Sequence, residues 1–493
     1  MDTGQLLTFN ELWRSMGPEL VLAGSAFIIM IVEMILPKGQ KEVAAWLSVL
    51  ALLLSGVVAI ARLGVPQASY SISSYFVDGF GGIFKIMILL STLLVILLAM
   101  ASKKSIKLPF EYTYLILFAS TGAMIITSAV DLITLYVGLE LLSIATYVLV
   151  ALYRKDSRSA EGGIKYLIIG SIASATIIYG LSFLFGVTGN TNFNSIATAL
   201  QTAWSSQSGM LYLAMILVLI GVGVKVSAVP FHLWTADVYE GAPTPVTAYL
   251  AVISKAAVLA LVLRLFIQVF GNKAGDWSHI VMWLSILTMI IGNFGALAQR
   301  NVKRILAYSS IGQLGYLLIP FATLGNSATV GDLWQSLSAI LFYLFAYAFM
   351  TIGAFSVLAI VAHEQGSEDV NAFAGLYKRS PVLAGAMGLF LLSLAGMPLT
   401  GGFYGKFLIF LNAFNTGQYA LGVILFATSA VAFYYYFGVL RAIFTREPEE
   451  DKGPMKSPAM MHVVLLLTAA GTLILGIFPS TLVHVLNNLH WFG

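Results

Sequence analysis

Apolar runs of about 20 residues recur along the chain from residue 17 to residue 487, separated by short polar interruptions. Each run, rising about 1.5 Å per residue, is long enough to cross a hydrocarbon core of roughly 30 Å as a helix. Only 10% of the residues are charged, against roughly a quarter in an ordinary soluble domain, so lipid rather than water is the main solvent. The expected fold is an all-α integral membrane protein with about 14 transmembrane helices. In the first half the spans fall near residues 17–36, 43–62, 78–99, 109–127, 129–152 and 162–187. In the second they fall near 209–229, 244–270, 278–299, 303–323, 334–361, 381–413, 418–443 and 458–487. The stretch 188–208, rich in Asn, Thr, Ser and Gln, reads as an uncharged surface loop.

Short cytoplasmic loops keep an excess of Lys and Arg, which orients the ladder. With the N-terminus outside, the inside loops carry Lys38 and Lys41; Lys103, Lys104 and Lys107; Arg154, Lys155 and Arg158; Arg300, Lys303 and Arg304; Lys378 and Arg379; and Arg446, Lys452 and Lys456. Outside segments then hold only Arg14, Arg62 and Lys273, and the segment 231–243 departs from the pattern by carrying neither Lys nor Arg. An even number of spans follows, with both termini extracytoplasmic. The N-terminal segment lacks the basic start and short apolar core of a cleaved signal peptide, so the first span is expected to direct insertion.

Several chemistries are excluded. The net charge of +4 suits loops facing anionic lipid and is too dispersed for nucleic acid. Cysteine is absent, which rules out thiolate-bound iron-sulfur clusters, cysteine zinc sites, disulfides and thiol nucleophiles. No Walker lysine or dinucleotide fingerprint occurs; Gly221-Val222-Gly223 lacks the third glycine and sits inside a span. No metal and no cofactor is expected on this chain, and electrons flowing nearby would be carried by others.

A charged side chain at the bilayer centre costs roughly 2.5–3.5 kcal/mol on insertion scales, so each one asks for a purpose and a partner. Glu140 stands deep in LYVGLELLSIATY, with Ser143 and Tyr147 following on the same helical face. A permanent ion pair that clamps two helices is the alternative reading. Lys225 precedes Pro230, which cannot donate to the carbonyl of Val226 and either breaks the helix or ends it. Lys255 lies twelve residues beyond Pro243, about 18 Å along a helix, where it serves as a proton carrier or as an interhelical donor. Lys406 closes GMPLTGGFYGKF, where Pro398, Gly401 and Gly402 mark a second broken helix. Two interrupted helices, one in each half and each with a lysine, are the pattern of a repeat-built transporter. His232 in PFHLW and the hydroxyls of Ser143, Tyr147 and Ser254 are candidate relays, although capping or packing fits His232 equally. Lys85 and Glu33 either extend the polar axis or, standing close to span ends, snorkel, and Tyr434, Tyr435 and Tyr436 read as packing or an interfacial belt rather than a relay.

At an effective dielectric of about 20, drawing a Glu–Lys pair from 4 to 8 Å removes roughly 2 kcal/mol of attraction. The mechanism expected is that Glu140 alternately holds and releases Lys225, Lys225 passes a proton to Lys255, and Lys406 exchanges with the far side. Four stretches carry a resemblance over essentially the whole chain: LELLSIATYVLVALYRKDSRSAEGGIKYLIIGS, KVSAVPFHLWTADVYEGAPTPVTAYLAVISKA, RNVKRILAYSSIGQLGY and GMPLTGGFYGKF. Together they resemble the N-type antiporter-like subunits of respiratory complex I, the proton-pumping NADH:quinone oxidoreductase. The resemblance implies that the membrane is a bacterial plasma membrane and that the residues matching Glu140, Lys225, Lys255 and Lys406 form the proton path. It further implies two inverted five-helix repeats, each with a broken helix, over 109–270 and 278–443, flanked by N-terminal helices in 1–108 and a last helix in 444–493. Lysine at position 406 argues against the M-type, and the absence of a long lateral helix before Gly493 argues against the L-type. The implied complex uses NADH, FMN, iron-sulfur clusters and a quinone in or near other subunits, and the partners are other membrane subunits, including neighbouring antiporter-like ones. A multisubunit sodium/proton antiporter, a membrane-bound hydrogenase or formate-oxidising complex, and a purely structural scaffold are the competing readings.

Overall fold

The computed structural model describes residues 8–35, 42–63, 71–102, 111–153, 155–326, 329–447, 453–455, 457–489 and 491. Lys38, Lys41, Lys103, Lys104, Lys107, Arg154, Lys452 and Lys456 of the charge pattern lie outside the described residues.

Polar residues at the ends of the apolar runs start the helices. Asp78 caps the third by accepting from Gly81 N, Asp131 the fifth through Ile133 N and Thr134 N, and Asn192 the seventh through Asn194 N and Ser195 N. The first half contains α1 (Phe9–Ile35), α2 (Glu42–Ala61), α3 (Gly79–Ala101), α4 (Glu111–Ser128), α5 (Leu132–Val150), α6 (Ser157–Thr188), α7 (Phe193–Val226), α8 (Thr235–Gly241), α9 (Thr244–Tyr249) and α10 (Lys255–Gln268). The second contains α11 (Ala274–Leu297), α12 (Val302–Thr323), α13 (Val330–Gln365), the single turn α14 (Leu376–Arg379), α15 (Pro381–Ala395), α16 (Gly401–Asn415), α17 (Tyr419–Thr445), α18 (Ala459–Ile477) and α19 (Ser480–Asn487). Among the described residues, 12 helical segments are long and apolar enough to span a membrane. With α4 and the interrupted α15–α16 unit, the number of crossing units agrees with the ladder read from the sequence.

One expectation fails. The 188–208 stretch is not a loop, because α7 begins at Phe193 and runs for 34 residues with a kink at Gln207. The Asn192 cap starts the helix early, so its polar first turns continue the span instead of leaving it.

The helices α10, α12 and α13 are enclosed on nearly all sides, whereas α1, α2 and α18 turn about two-thirds of their surface outward. The outward faces are apolar, as Ile164, Ile168 and Ile172 of α6 are, so the fold is inside-out relative to a water-soluble bundle. Small residues allow the close crossings: a Cβ on Gly292 of α11 would lie 2.4 Å from Gly312 N of α12. The two halves also share a local device. Isolated antiparallel bridges join Asp131 to Asn192 and Asn301 to Asp369, and all four residues cap helical segments.

Candidate functional site

Among the described residues, three spans are interrupted next to a buried lysine. After α7 ends at Val226, Ser227 takes a left-handed φ of 68° and helix resumes only at Thr235, with Pro230 inside the gap. Between α15 and α16 the chain leaves helix from Gly396 (φ 94°) to Thr400, with Pro398 inside and Leu399 also at positive φ. This second gap folds back tightly, since a Cβ on Gly402 would lie 2.0 Å from Ser393 O. The third interruption is a π-helical turn, Leu250–Ser254, which delivers Lys255 at the start of α10. Each interruption therefore adjoins one of the three lysines.

Lys225, Lys255 and Lys406 are all buried. Lys225 Nζ donates to Ser143 Oγ at 2.7 Å and Tyr147 Oη at 3.0 Å and lies 5.5 Å from the centre of the Tyr147 ring. Lys255 Nζ donates to Ser310 O at 3.0 Å and Ser310 Oγ at 2.5 Å. Lys406 Nζ donates to the freed carbonyls of Leu394 and Ala395 at 2.9 and 3.2 Å and sits 4.7 Å from the centre of the Tyr316 ring. Among the described residues none of the three has a carboxylate within 4.0 Å.

Glu140 differs from the expected contact. It is half-buried on α5, its Oε1 has no hydrogen-bond partner, and it does not ion-pair with Lys225. The physical reason lies on its own helix, where Ser143 and Tyr147, three and seven residues along, already occupy the amine. Glu140 instead lines a cleft of about 1240 Å³ between α4, α5 and α6, together with Glu111, Tyr114, Tyr153 and Lys155. Of the lesser candidates, Ser254 is buried in the π turn, and His232 is half-buried with a partnerless Nδ1.

The snorkelling reading is corrected. Lys85 does not snorkel: it is buried, pairs with Glu19 of α1 at 3.2 Å, and Tyr75 Oη donates to the same carboxylate at 2.6 Å. Glu33 is likewise buried. Of the three consecutive tyrosines only Tyr434 faces outward; Tyr435 donates to Asn293 Oδ1 at 3.2 Å, and Tyr436 hydrogen-bonds Ser309. Sequence reasoning also missed Arg264, fully buried with Asp78 at 2.8 Å and donating to Thr127 O at 2.9 Å. The signal was present, since Arg264 sits in the same apolar run as Lys255.

At the Arg- and Lys-rich end a charge network binds α8 to both halves. Asp237 pairs with Lys165 of α6 at 2.7 Å and Arg304 of α12 at 3.1 Å, and Arg304 also meets Glu240 at 2.6 Å. The Lys165 ammonium, and after it Arg304, hold the Asp237 carboxyl below its usual range. Lys303 ties down the end of α8 through the carbonyls of Glu240 and Ala242. Among the described residues no cluster of His, Asp or Glu is arranged to hold a metal ion.

This arrangement has known relatives. Residues 128–432 match the family described as NADH:quinone oxidoreductase/Mrp antiporter, TM. An NADH-quinone oxidoreductase subunit N from Geobacillus sp. (strain WCH70) is 41% identical, with 96% of this chain and 98% of the relative covered. A chain of respiratory complex I from Thermus thermophilus superposes with a TM-score of 0.80 at 30% identity, over 95% of this chain and 99% of that one. A chain of the Mrp complex from Dietzia sp. DQ12-45-1b shares the fold alone, with a TM-score of 0.83 at 20% identity over 97% and 96% of the two chains. With the family model matching more than half of the chain and relatives about 40% identical over nearly its full length, the chain belongs to the NADH-quinone oxidoreductase subunit N family.

Proposed function

We propose that this chain is a proton-translocating membrane subunit of a bacterial NADH:quinone oxidoreductase, and that protons move along Glu140, Lys225, Lys255 and Lys406. The observation that carries the reading is the trio of buried lysines held by hydroxyls, carbonyls and aromatic rings, with no carboxylate within 4.0 Å among the described residues. A charge pair at 4 Å is worth roughly 4 kcal/mol at an effective dielectric of about 20, and a proton leaving a paired lysine must overcome it. These amines carry no such bond, so modest shifts of Ser143, Ser310 or the α15–α16 turn suffice to change their proton occupancy. Ser143, Tyr147 and Ser254 serve as hydroxyl relays, His232 stands at the first break, and Pro230 and Pro398 keep the two gaps open.

NADH oxidation and quinone reduction belong to other subunits, which hold FMN and the iron-sulfur clusters. The Glu140 cleft opens on the outer face of α5, where a neighbouring membrane subunit is expected. The repeats take 109–270 and 278–443, and both termini lie outside the cell. Because the chain has no cysteine, single cysteines placed at Ser157 and at Gly189 report orientation through a membrane-impermeant thiol reagent. Labelling of the Ser157 position from outside in intact cells would reverse the topology.

The test of function uses the assembled enzyme in inverted membrane vesicles. Lys225→Ala, Lys255→Ala and Lys406→Ala are each expected to lower protons moved per NADH oxidised while the complex still assembles. Wild-type pumping in any one of the three would end the reading. The shared Mrp scaffold motivates sodium/proton exchange as a second reading; sodium movement that persists without NADH would favour it.

A further inference from the structure

Beside the lysine axis lies a buried polar cluster that the four-residue path does not use. On α12, Ser309 is the neighbour of Ser310, which holds Lys255, and Ser309 hydrogen-bonds Tyr436 of α17. One turn on, Gln313 bonds Tyr343 of α13 and donates to Leu394 O at 3.2 Å, the carbonyl that also accepts from Lys406. Tyr435 packs ring to ring with Tyr436, their centres 4.4 Å apart, and its hydroxyl donates to Asn293 of α11. Asn293 Nδ2 in turn donates to Tyr316 Oη at 3.2 Å, under the Lys406 amine. All these side chains are buried, so the cluster spans the interval between Lys255 and Lys406 without reaching lipid.

The cluster is not sealed. A cavity of about 430 Å³ is lined by Arg300, Asp369, Asn371 and Arg446, at the positively charged end, and by Tyr434, Tyr435 and Gly438 of α17. The cavity is large enough for several waters, at about 30 Å³ each.

We infer that Tyr435, Tyr436 and Ser309 form a side branch through which protons from the Arg300–Arg446 cavity reach the Lys255–Lys406 segment. The inference rests on the proposed function and names the access that reading leaves open. A proton from cavity water binds a Tyr435 lone pair as Tyr435 gives its own hydrogen to Tyr436, Tyr436 gives its own to Ser309, and Ser309 gives its own, by way of the adjoining Ser310 hydroxyl, to the neutral Lys255 amine, where the charge ends. Each oxygen gains one O–H bond and loses one, so no hydroxyl keeps a charge and no co-reactant is needed. Asn293 is a positioning residue, because its carbonyl holds the Tyr435 hydroxyl in one orientation until the proton arrives. Access from this end also means that Lys406 does not need a separate opening on the opposite side in order to be loaded.

The test again uses the assembled enzyme in inverted vesicles and reads protons moved per NADH oxidised. Tyr435→Phe combined with Tyr436→Phe keeps both rings and removes only hydroxyls; it is expected to slow proton movement by about a hundredfold, the low end for losing a proton-transfer group. Gly438→Leu fills the cavity from a position where an added Cβ meets nothing within 4 Å, and is expected to act likewise, whereas Gly438→Ser leaves room for water and retains pumping. A merely structural role would not separate these two. Tyr419→Phe, exposed at the start of α17 and away from the cavity, is the control and pumps normally. Wild-type ratios in the double phenylalanine variant and in Gly438→Leu, alongside a dead Lys255→Ala, overturn the branch and leave the lysine axis standing. If Lys255→Ala also pumps normally, both fall. Should the double variant fail to assemble, Gly438→Leu against Gly438→Ser decides, and equal pumping by the two refutes the branch.

Discussion

Removing Ser143 Oγ tests whether neutral groups on α5 hold the Lys225 proton in place. The amine has two hydrogen-bond acceptors there, Ser143 at 2.7 Å and Tyr147 at 3.0 Å, and one aromatic face at 5.5 Å. A hydrogen bond to a charged group contributes about 1.5–3 kcal/mol, and about 1.4 kcal/mol is a factor of ten. Ser143→Ala therefore weakens the hold on the ammonium by about tenfold or more. Tyr147→Phe has the smaller effect, because the ring stays, and a cation over an aromatic face keeps about 0.5–2 kcal/mol. The ring keeps its place because it packs against Gly170, where a Cβ would lie 2.2 Å from the tyrosine oxygen. The double variant falls short of the sum of the two, since both residues act on one amine. Inverted vesicles give the measurement: acidification per NADH oxidised, with the uncoupled NADH oxidation rate as the control for assembly. Tyr147→Phe is expected to lower the ratio least, Ser143→Ala more, and the double variant most, by less than the sum of the two. Full pumping in the assembled double variant would refute the claim that these hydroxyls position the proton.

Three further outcomes follow from other parts of the structure. Arg264→Met leaves the Asp78 carboxylate buried without its 2.8 Å partner, and breaking a buried pair this way costs about 3–5 kcal/mol; a lowered thermal midpoint of the detergent-solubilised protein is expected, with partial recovery in the Asp78→Asn/Arg264→Met double variant. Gly292→Ala puts a methyl 2.4 Å from Gly312 N and forces α11 away from α12, with an expected loss of about 1–3 kcal/mol seen as lower thermal stability, while Gly385→Ala, where nothing lies within 4 Å, is neutral. Asp237 is held below the usual carboxylate range by Lys165 and Arg304, so its contribution to stability is complete above that range and is lost as pH falls through its lowered value. In Asp237→Asn that part of the acid-induced loss of thermal stability is expected to vanish, and an unchanged acid profile would exclude the latch as its source.

The spans were legible because hydropathy is a local property, and a run of apolar residues names its solvent wherever it later packs. The buried lysines were legible for the same reason, each being a costly exception within such a run. Their partners were not. Ser143 and Lys225 are 82 residues apart, Ser310 and Lys255 are 55 apart, and a serine or glutamine inside an apolar span barely changes its hydropathy. Tyr435 and Tyr436 were read as packing because a phenol suits both a core and a relay, and only the positions of Asn293 and Ser309 on other helices separate the two uses. Lys85 was misjudged from distance along its own helix; Glu19 reaches it from α1, so nearness to a span end gave no route to water. The helical start of α7 was missed because a polar helix that precedes an apolar one has the composition of a loop.

The chain contains two kinds of buried cation, and the difference between them bears on which can move a proton. Lys85 and Arg264 face carboxylates at 3.2 and 2.8 Å. At such separations the attraction is roughly 5–6 kcal/mol at an effective dielectric of about 20, so neither charge is given up lightly. Both tie the N-terminal helices together: Lys85 joins α3 to α1, and Arg264 joins α10 to the cap of α3. Lys225, Lys255 and Lys406 are buried just as deeply but rest on dipoles, each placed where a span is interrupted and its backbone or hydroxyls are free to turn. A dipole stabilises an ammonium while the proton is present and can rotate to meet a neutral amine once it has left, which a fixed carboxylate cannot do without being stranded. On the proposed function, burial alone therefore does not mark the proton carriers in this fold. What separates them from the clamps is burial combined with neutral partners at a break in the helix.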